Sequence, residues 1–217
     1  MVSKKILTYL SWWEKYLRVC PTLISNWTRK ETEYLHKNIK KNSTILDVGC
    51  GLGNDIKSIA SIAKNAVGID YDLEGVRKAK RNLAKFKNVK IFLEDAKRMH
   101  FRNNIFDYAI CIGNTFGNLG KDKIKILKEM KRVIKNKGEI VISVYSEKAL
   151  PVRMEAYKKV AMPIKKIAKG GTVYTKSGLI SEQFTRKKLK EIFNKVKLNA
   201  KIKELNPISY ICVVTKK

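Results

Sequence analysis

The chain has 217 residues, 44% of them hydrophobic and 9% aromatic, enough apolar material for one sizeable core, which excludes wholesale disorder and leaves two full domains cramped. Its 47 Lys and Arg against 19 Asp and Glu give a net charge of +28, and the excess is mostly lysine, so ion-pair networks cannot neutralise the surface. The longest apolar runs, such as Ile105 to Ile112 and Ile140 to Tyr145, fall far short of a membrane span and exclude an integral membrane protein.

Such a surface attracts polyanions by counterion release, which keeps RNA among the expected partners. The lysines are nevertheless spread along the whole chain without an arginine cluster, as a general compositional bias would spread them. Cys20, Cys50, Cys111 and Cys212 show no CxxC spacing, and Cys111 and Cys212 sit in apolar runs as small buried hydrophobes. With no cleavage-site pattern after Lys4, Lys5 and the Ile6 to Trp13 run, the expected compartment is the cytoplasm.

In chain order, Ile6, Leu10, Trp13 and Leu17 recur at helical steps, and residues 1–41 are expected to form a helical extension serving as a lid. From Asn42 onward short apolar runs alternate with helical patterns, which predicts an α/β fold, a doubly wound, mainly parallel sheet. Strands are expected at Thr44 to Val48, Ala66 to Ile69, Val89 to Leu93, Phe106 to Ile112 and Glu139 to Val144. Helices are expected from Asn54, over Leu73 to Lys85, and over Lys121 to Lys135 with a stop at Asn136-Lys137-Gly138. Residues 146–181, with Pro151, Pro163 and Gly170-Gly171, read as an insertion in a 42–217 domain. Thr185 to Lys195 regains a helical period. Lys197 to Glu204 and Ile208 to Thr215 read as an antiparallel hairpin that brings the sheet to seven strands.

The most informative stretch is Ile45-Leu46-Asp47-Val48-Gly49-Cys50-Gly51-Leu52-Gly53-Asn54-Asp55, a strand running into a glycine turn and a helix. Gly49 and Gly51 let the backbone approach a ligand at the carboxyl edge of the sheet, where open α/β sheets bind ligands. Asp70 closes the second strand, where a carboxylate can accept from both ribose hydroxyls, and Glu94-Asp95-Ala96 follows the third. The GxGxG spacing departs from the dinucleotide fingerprint GxGxxG, so no pyrophosphate is implied. Six of the seven Asp residues lie between Asp47 and Asp107, which favours a cationic ligand in an otherwise acid-poor chain.

These motifs, over roughly Asn42 to Val144, resemble the class I S-adenosylmethionine-dependent methyltransferases. The resemblance implies S-adenosylmethionine as cofactor and S-adenosylhomocysteine as product. It implies a cofactor site of Asp47, Gly49, Cys50, Gly51, Asp70, Tyr71, Asp95, Ala96 and Ile112. In this resemblance Asp47 helps hold the methionine ammonium, Asp70 the ribose hydroxyls, Tyr71 lies beside the adenine, and Asp95-Ala96 meet its edge.

After the fourth strand, Gly113-Asn114-Thr115-Phe116-Gly117 departs from the Asn/Asp-Pro-Pro-Tyr/Phe signature of nucleic-acid amino methyltransferases. It is loosely similar to glycine and sarcosine N-methyltransferases, which implies a small amine or amino-acid-like acceptor, with Asn114 and Tyr145 as the catalytic candidates. Tyr9, Trp12, Trp13 and Tyr16 are further candidates for an aromatic acceptor pocket, and Arg153 for anchoring a carboxylate or phosphate. His36 and His100 carry no assigned role. No metal-ligand spacing is present, and positioning alone can supply about 7 to 11 kcal/mol of a methyl-transfer barrier. Competing readings are an RNA methyltransferase, a noncatalytic cofactor-binding partner subunit, and transfer of another carbon group from the same sulfur. The oligomeric state is left open.

Overall fold

The computed structural model describes residues 15–216 apart from residue 17. The helix expected around Ile6 to Leu17, with Tyr9, Trp12 and Trp13, lies outside the described residues, save for Tyr16. In chain order the elements are α1 (Thr22–Asn38), β1 (Ser43–Val48), α2 (Asn54–Ile59), β2 (Ala63–Asp70), α3 (Leu73–Leu83), β3 (Val89–Leu93), β4 (Phe106–Cys111), the single turn α4 (Thr115–Asn118) and α5 (Lys123–Val133). They continue with β5 (Ile134–Tyr145), α6 (Leu150–Lys159), β6 (Ile164–Ile167), β7 (Val173–Thr175), β8 (Ile180–Ser181), α7 (Arg186–Asn194), β9 (Lys201–Asn206) and β10 (Ser209–Thr215).

The main sheet has seven strands in the order β3-β2-β1-β4-β5-β10-β9, with β10 antiparallel to both neighbours and the rest of the pairings parallel. Side-chain alternation along the central strands divides the core in two. Leu46, Ala109, Ile142 and Cys212 face α5 and α7, against Leu127, Met130 and Phe193. Ile45, Ile110, Val141 and Ile211 face the other layer, against Leu35 of α1, Ile56 and Ile59 of α2, and Ala79 and Leu83 of α3. The expected doubly wound fold is therefore present, and Cys111 and Cys212 are fully buried in it.

Beyond small shifts at strand ends, two boundaries differ from the sequence reading. The helix expected to stop at Asn136-Lys137-Gly138 ends at Val133, because Ile134 is already extended and pairs with Phe106 of β4. The Asn-Lys-Gly segment is a kink inside β5, with Lys137 at φ 64°. The terminal hairpin runs over Lys201–Asn206 and Ser209–Thr215 rather than starting at Lys197, since Leu198 packs into the α5 and α7 layer. Residues 146–181 hold α6 and a separate antiparallel sheet β6-β7-β8, too short in each strand to leave an alternation signal.

The carboxyl half of α1 is part of one core face through Leu35, joined by Ile39 just past its end. Its amino half reaches the carboxyl edge of the sheet, where Leu23 O accepts from Asn206 Nδ2 at 2.9 Å and Trp27 lies 4.6 Å from the Tyr145 ring. Among the described residues no helix is long and apolar enough to cross a membrane.

Candidate active site

The glycine turn lies where β1 ends. Gly49 N and Cys50 N both donate to Ile69 O of β2, at 2.8 and 3.0 Å, which folds the chain back sharply and needs φ of 79° at Gly49 and 51° at Gly51. The Cys50 side chain turns inward and packs where Gly68 leaves room, since a Cβ on Gly68 would come within 2.9 Å of its sulfur. Burial pushes the Cys50 thiol up, so Cys50 offers the turn its backbone, not a nucleophile. Thr115 of α4 fills the space in front of Gly49: a Cβ there would lie 2.3 Å from Thr115 Cγ2.

Asp70, the last residue of β2, accepts from Gly51 N at 2.8 Å and from Asp72 N at 3.0 Å, so its carboxylate is fixed at the turn. Asp72 caps α3 through Gly75 N at 3.1 Å and has a structural role. Tyr71 is 75% exposed and stands open at the edge. Asp95 is also exposed, accepting from Lys97 N at 2.9 Å, with the Lys97 ammonium 3.4 Å away. Ala96 packs against the core below it. Ile112 is buried just past β4.

Alternation along β1 puts Asp47 on the Ile45 side, facing α1 and α2. Asp47 is 1% exposed, and its Oδ2 has no hydrogen-bond partner. Asp55 at the start of α2 and Glu31 of α1 lie close enough to act on one another electrostatically. Burial, reinforced by Asp55 and Asp70, holds the Asp47 carboxyl well above its ordinary range. Burial alone pushes Asp55 to about 6. Burial and then Asp55 push Glu31 to about 8, against the opposing bonds from Ser143 and Gly113. None of these carboxyls, nor Asp70, pairs with a basic side chain among the described residues. An orphaned buried carboxylate oxygen among like charges is a poor resting arrangement and a good receptor for a cation. The sulfonium and ammonium of S-adenosylmethionine fit this chemistry, and the fixed Asp70 beside the turn fits a ribose.

Sequence reasoning missed Glu31. A signal was there: Ile24, Trp27, Glu31 and Leu35 form the buried stripe of α1, and one member of that stripe is a carboxylic acid.

Beside the turn lies a small cavity of about 20 Å³ lined by Tyr16, Gly113, Asn114, Tyr145, Tyr157 and Ser181, among others. Asn114, at φ 63°, is 2% exposed, and its Oδ1 accepts from Tyr145 N at 3.1 Å while its Nδ2 faces Ser181 Oγ at 3.4 Å. The Tyr16 and Tyr145 hydroxyls share a 2.7 Å hydrogen bond. Burial, with the neighbouring phenols, holds both well above the ordinary tyrosine range, so at neutral pH they are hydrogen-bonding groups and not bases.

Behind the cavity Arg153 is wholly buried, giving hydrogen bonds to Gly171 O (3.0 Å), Gln183 Oε1 (3.0 Å), Ser181 O (2.6 Å) and Ser181 Oγ (2.9 Å), with Nε unpartnered. Its guanidinium lies 4.9 Å from the Tyr145 ring and 5.8 Å from the Tyr157 ring. His100 is outside this region, exposed and paired with Glu94.

Residues 39–197 match the family described as a methyltransferase domain. A demethylmenaquinone methyltransferase of Staphylococcus saprophyticus is 32% identical over 166 residues, covering 72% of this chain and 70% of that one. An uncharacterized protein of Methanocaldococcus jannaschii is 36% identical over 115 residues, 52% of this chain, which spans only 41% of that longer relative. The crystal structure of a SAM-dependent methyltransferase from Aquifex aeolicus superposes with a TM-score of 0.68 at 16% identity, covering 94% of this chain and 98% of that one. The chain belongs to the S-adenosylmethionine-dependent methyltransferases of Rossmann-like class I fold, and it is an enzyme of that class.

Proposed function

We propose that this methyltransferase acts on a small amine or amino-acid-like acceptor held in the cavity between Asn114, Tyr145, Tyr157 and Ser181. The observation that carries the reading is the contact of Thr115 with Gly49, which sets that cavity directly beside the glycine turn. On the donor side Asp47 takes the methionine ammonium, and the Gly49, Cys50 and Gly51 backbone borders the methionyl part. Asp70 takes the ribose hydroxyls, Tyr71 and Ile112 flank the adenine, and Asp95 and Ala96 meet its edge.

Bound there, S-adenosylmethionine supplies an activated methyl group whose displacement leaves a neutral thioether. The chain's own residues position and enclose. Asn114 fixes the end of β5 through Tyr145 N and points its amide at Ser181, so it sets the acceptor against the donor. Tyr16 and Tyr145 close the chamber, and the buried rings exclude water. Among the described lining residues, Tyr16 and Tyr145 are held well above the ordinary tyrosine range by burial, which suits a neutral amine that needs only alignment. Arg153, a buried cation without a carboxylate partner among the described residues, supports an acceptor bearing an acidic group, because an unpaired internal charge is costly and an anion nearby offsets it.

The name of the demethylmenaquinone methyltransferase relative indicates a small-molecule acceptor for that protein, which supports the same broad acceptor class here. The RNA reading has its own structural counterpart, a groove of about 530 Å³ lined by Lys128, Lys131, Arg132, Lys195, Lys197 and Lys216. That groove opens at the amino edge of the sheet, where β5 begins, and the acceptor cavity is at the opposite edge. Incubation of the enzyme with methyl-labelled S-adenosylmethionine and a fractionated extract tests the choice. Label should appear in a small metabolite; label in RNA or protein would overturn the reading.

A further inference from the structure

Glu31 is the one acid on the buried stripe of α1, 2% exposed among Ile24, Trp27 and Leu35. Its Oε1 accepts from Gly113 N at 3.0 Å and from the Ser143 hydroxyl, tying the helix to the ends of β4 and β5. The groups that face it are Asp55 from α2, Ser143 and Tyr145 from β5, and Gly113 after β4, with Asp47 of β1 beyond Asp55. Every charged one is acidic. In that company the Glu31 carboxyl is held protonated, and a cation entering among these acids favours its ionised form.

Building on the donor site proposed above, we propose that Glu31 is a donor-positioning residue. It completes the cationic half of that site from α1, so the positive charge of the donor clamps the helix onto the sheet. Since Tyr16 just upstream of α1 bonds to Tyr145, the clamp would also set the wall of the acceptor cavity. Donor charge and chamber closure are then one event.

Burial and Asp55 leave the Glu31 carboxyl near 8, so near neutrality it holds a proton that an arriving cation expels. Titration calorimetry of S-adenosylmethionine binding at pH 7.5, in two buffers of different ionisation enthalpy, counts the protons released. Hydrogen exchange over residues 22–38, with and without ligand, reads the docking. Wild type should release protons and gain protection in α1. Glu31→Gln should still bind, about tenfold or more weakly, release fewer protons and gain less protection.

Ser143→Ala provides a second arm if Glu31→Gln folds poorly. Removing a hydroxyl that favours the charged carboxyl should increase proton release at pH 8.5. Wild-type affinity and proton count in Glu31→Gln, an unchanged count in Ser143→Ala, or α1 exchange indifferent to ligand would each overturn the proposal. Failure of the donor site itself looks different: Asp70→Ala would then bind S-adenosylmethionine as wild type does.

Discussion

Thr115 occupies the space a side chain on Gly49 would need, its methyl 2.3 Å from where a Cβ would stand. Two loops that follow different strands thus interlock through the absence of an atom. Gly49→Ala meets this contact and a φ of 79° together, and should cost about 2 to 4 kcal/mol with a large loss of cofactor affinity. Gly51→Ala has no atom within 4 Å of its Cβ and should cost only about 1 kcal/mol for its left-handed backbone. Denaturant unfolding of the two variants, with Thr115→Ser added to relieve the first, measures the difference.

Asp70 is held by two backbone N–H groups at the mouth of the turn. Asp70→Ala should lower affinity for S-adenosylmethionine by about tenfold or more, since it removes a charged hydrogen-bond acceptor and loosens Gly51. Unchanged calorimetric affinity would put the ribose elsewhere.

Asn114→Ala removes the acceptor for Tyr145 N and the amide facing Ser181. Cofactor affinity should stay within about twofold while turnover of the identified acceptor drops by about a hundredfold, as expected when alignment and not donor binding is lost. Normal turnover would take Asn114 out of the site.

Arg153→Lys keeps the charge but breaks the fork that joins Gly171, Ser181 and Gln183. Stranding buried carbonyls typically costs about 1 to 3 kcal/mol each, so the variant should unfold at distinctly lower denaturant. Protease sensitivity should appear first in residues 164–181. Stability equal to wild type would show that the β6-β7-β8 sheet does not depend on this side chain.

The raised carboxyls also fix a sign for pH. Glu31 near 8 in the folded chain, against an ordinary value of 4.5, keeps its proton while the unfolded chain has lost it. Over that interval the unfolded state binds fewer protons, so stability falls as pH rises from about 4.5 to 8. Asp55, at about 6, adds to the loss over the lower part of the range. Thermal unfolding of the ligand-free protein from pH 5 to 8 should show a falling midpoint, and Glu31→Gln should flatten it.

Much of this was legible in the sequence because buried central strands write themselves as short apolar runs: β1, β2 and β4 differ from the expected spans only at their ends, and the half-exposed edge strand β3, with Lys90 inside it, matches over Val89–Leu93. The acids at the strand ends were legible for the same reason, since an Asp ending such a run stands out. The Asn136-Lys137-Gly138 segment misled because its local chemistry is that of a helix stop, yet β4 and β10 compete for the same backbone and draw it into β5. The β6-β7-β8 sheet was not legible. Its hydrogen bonds at Gly171 and Ser181 come from Arg153, a residue eleven positions before β6 begins, and no periodicity within the strands records that link.

The hydroxyl bond between Tyr16 and Tyr145 has a kinetic corollary. At the proposed acceptor site the cavity of about 20 Å³ holds about one water, so an acceptor bound there needs these two phenols to part. The observed rate of acceptor binding should therefore level off with rising acceptor concentration at the rate of that opening.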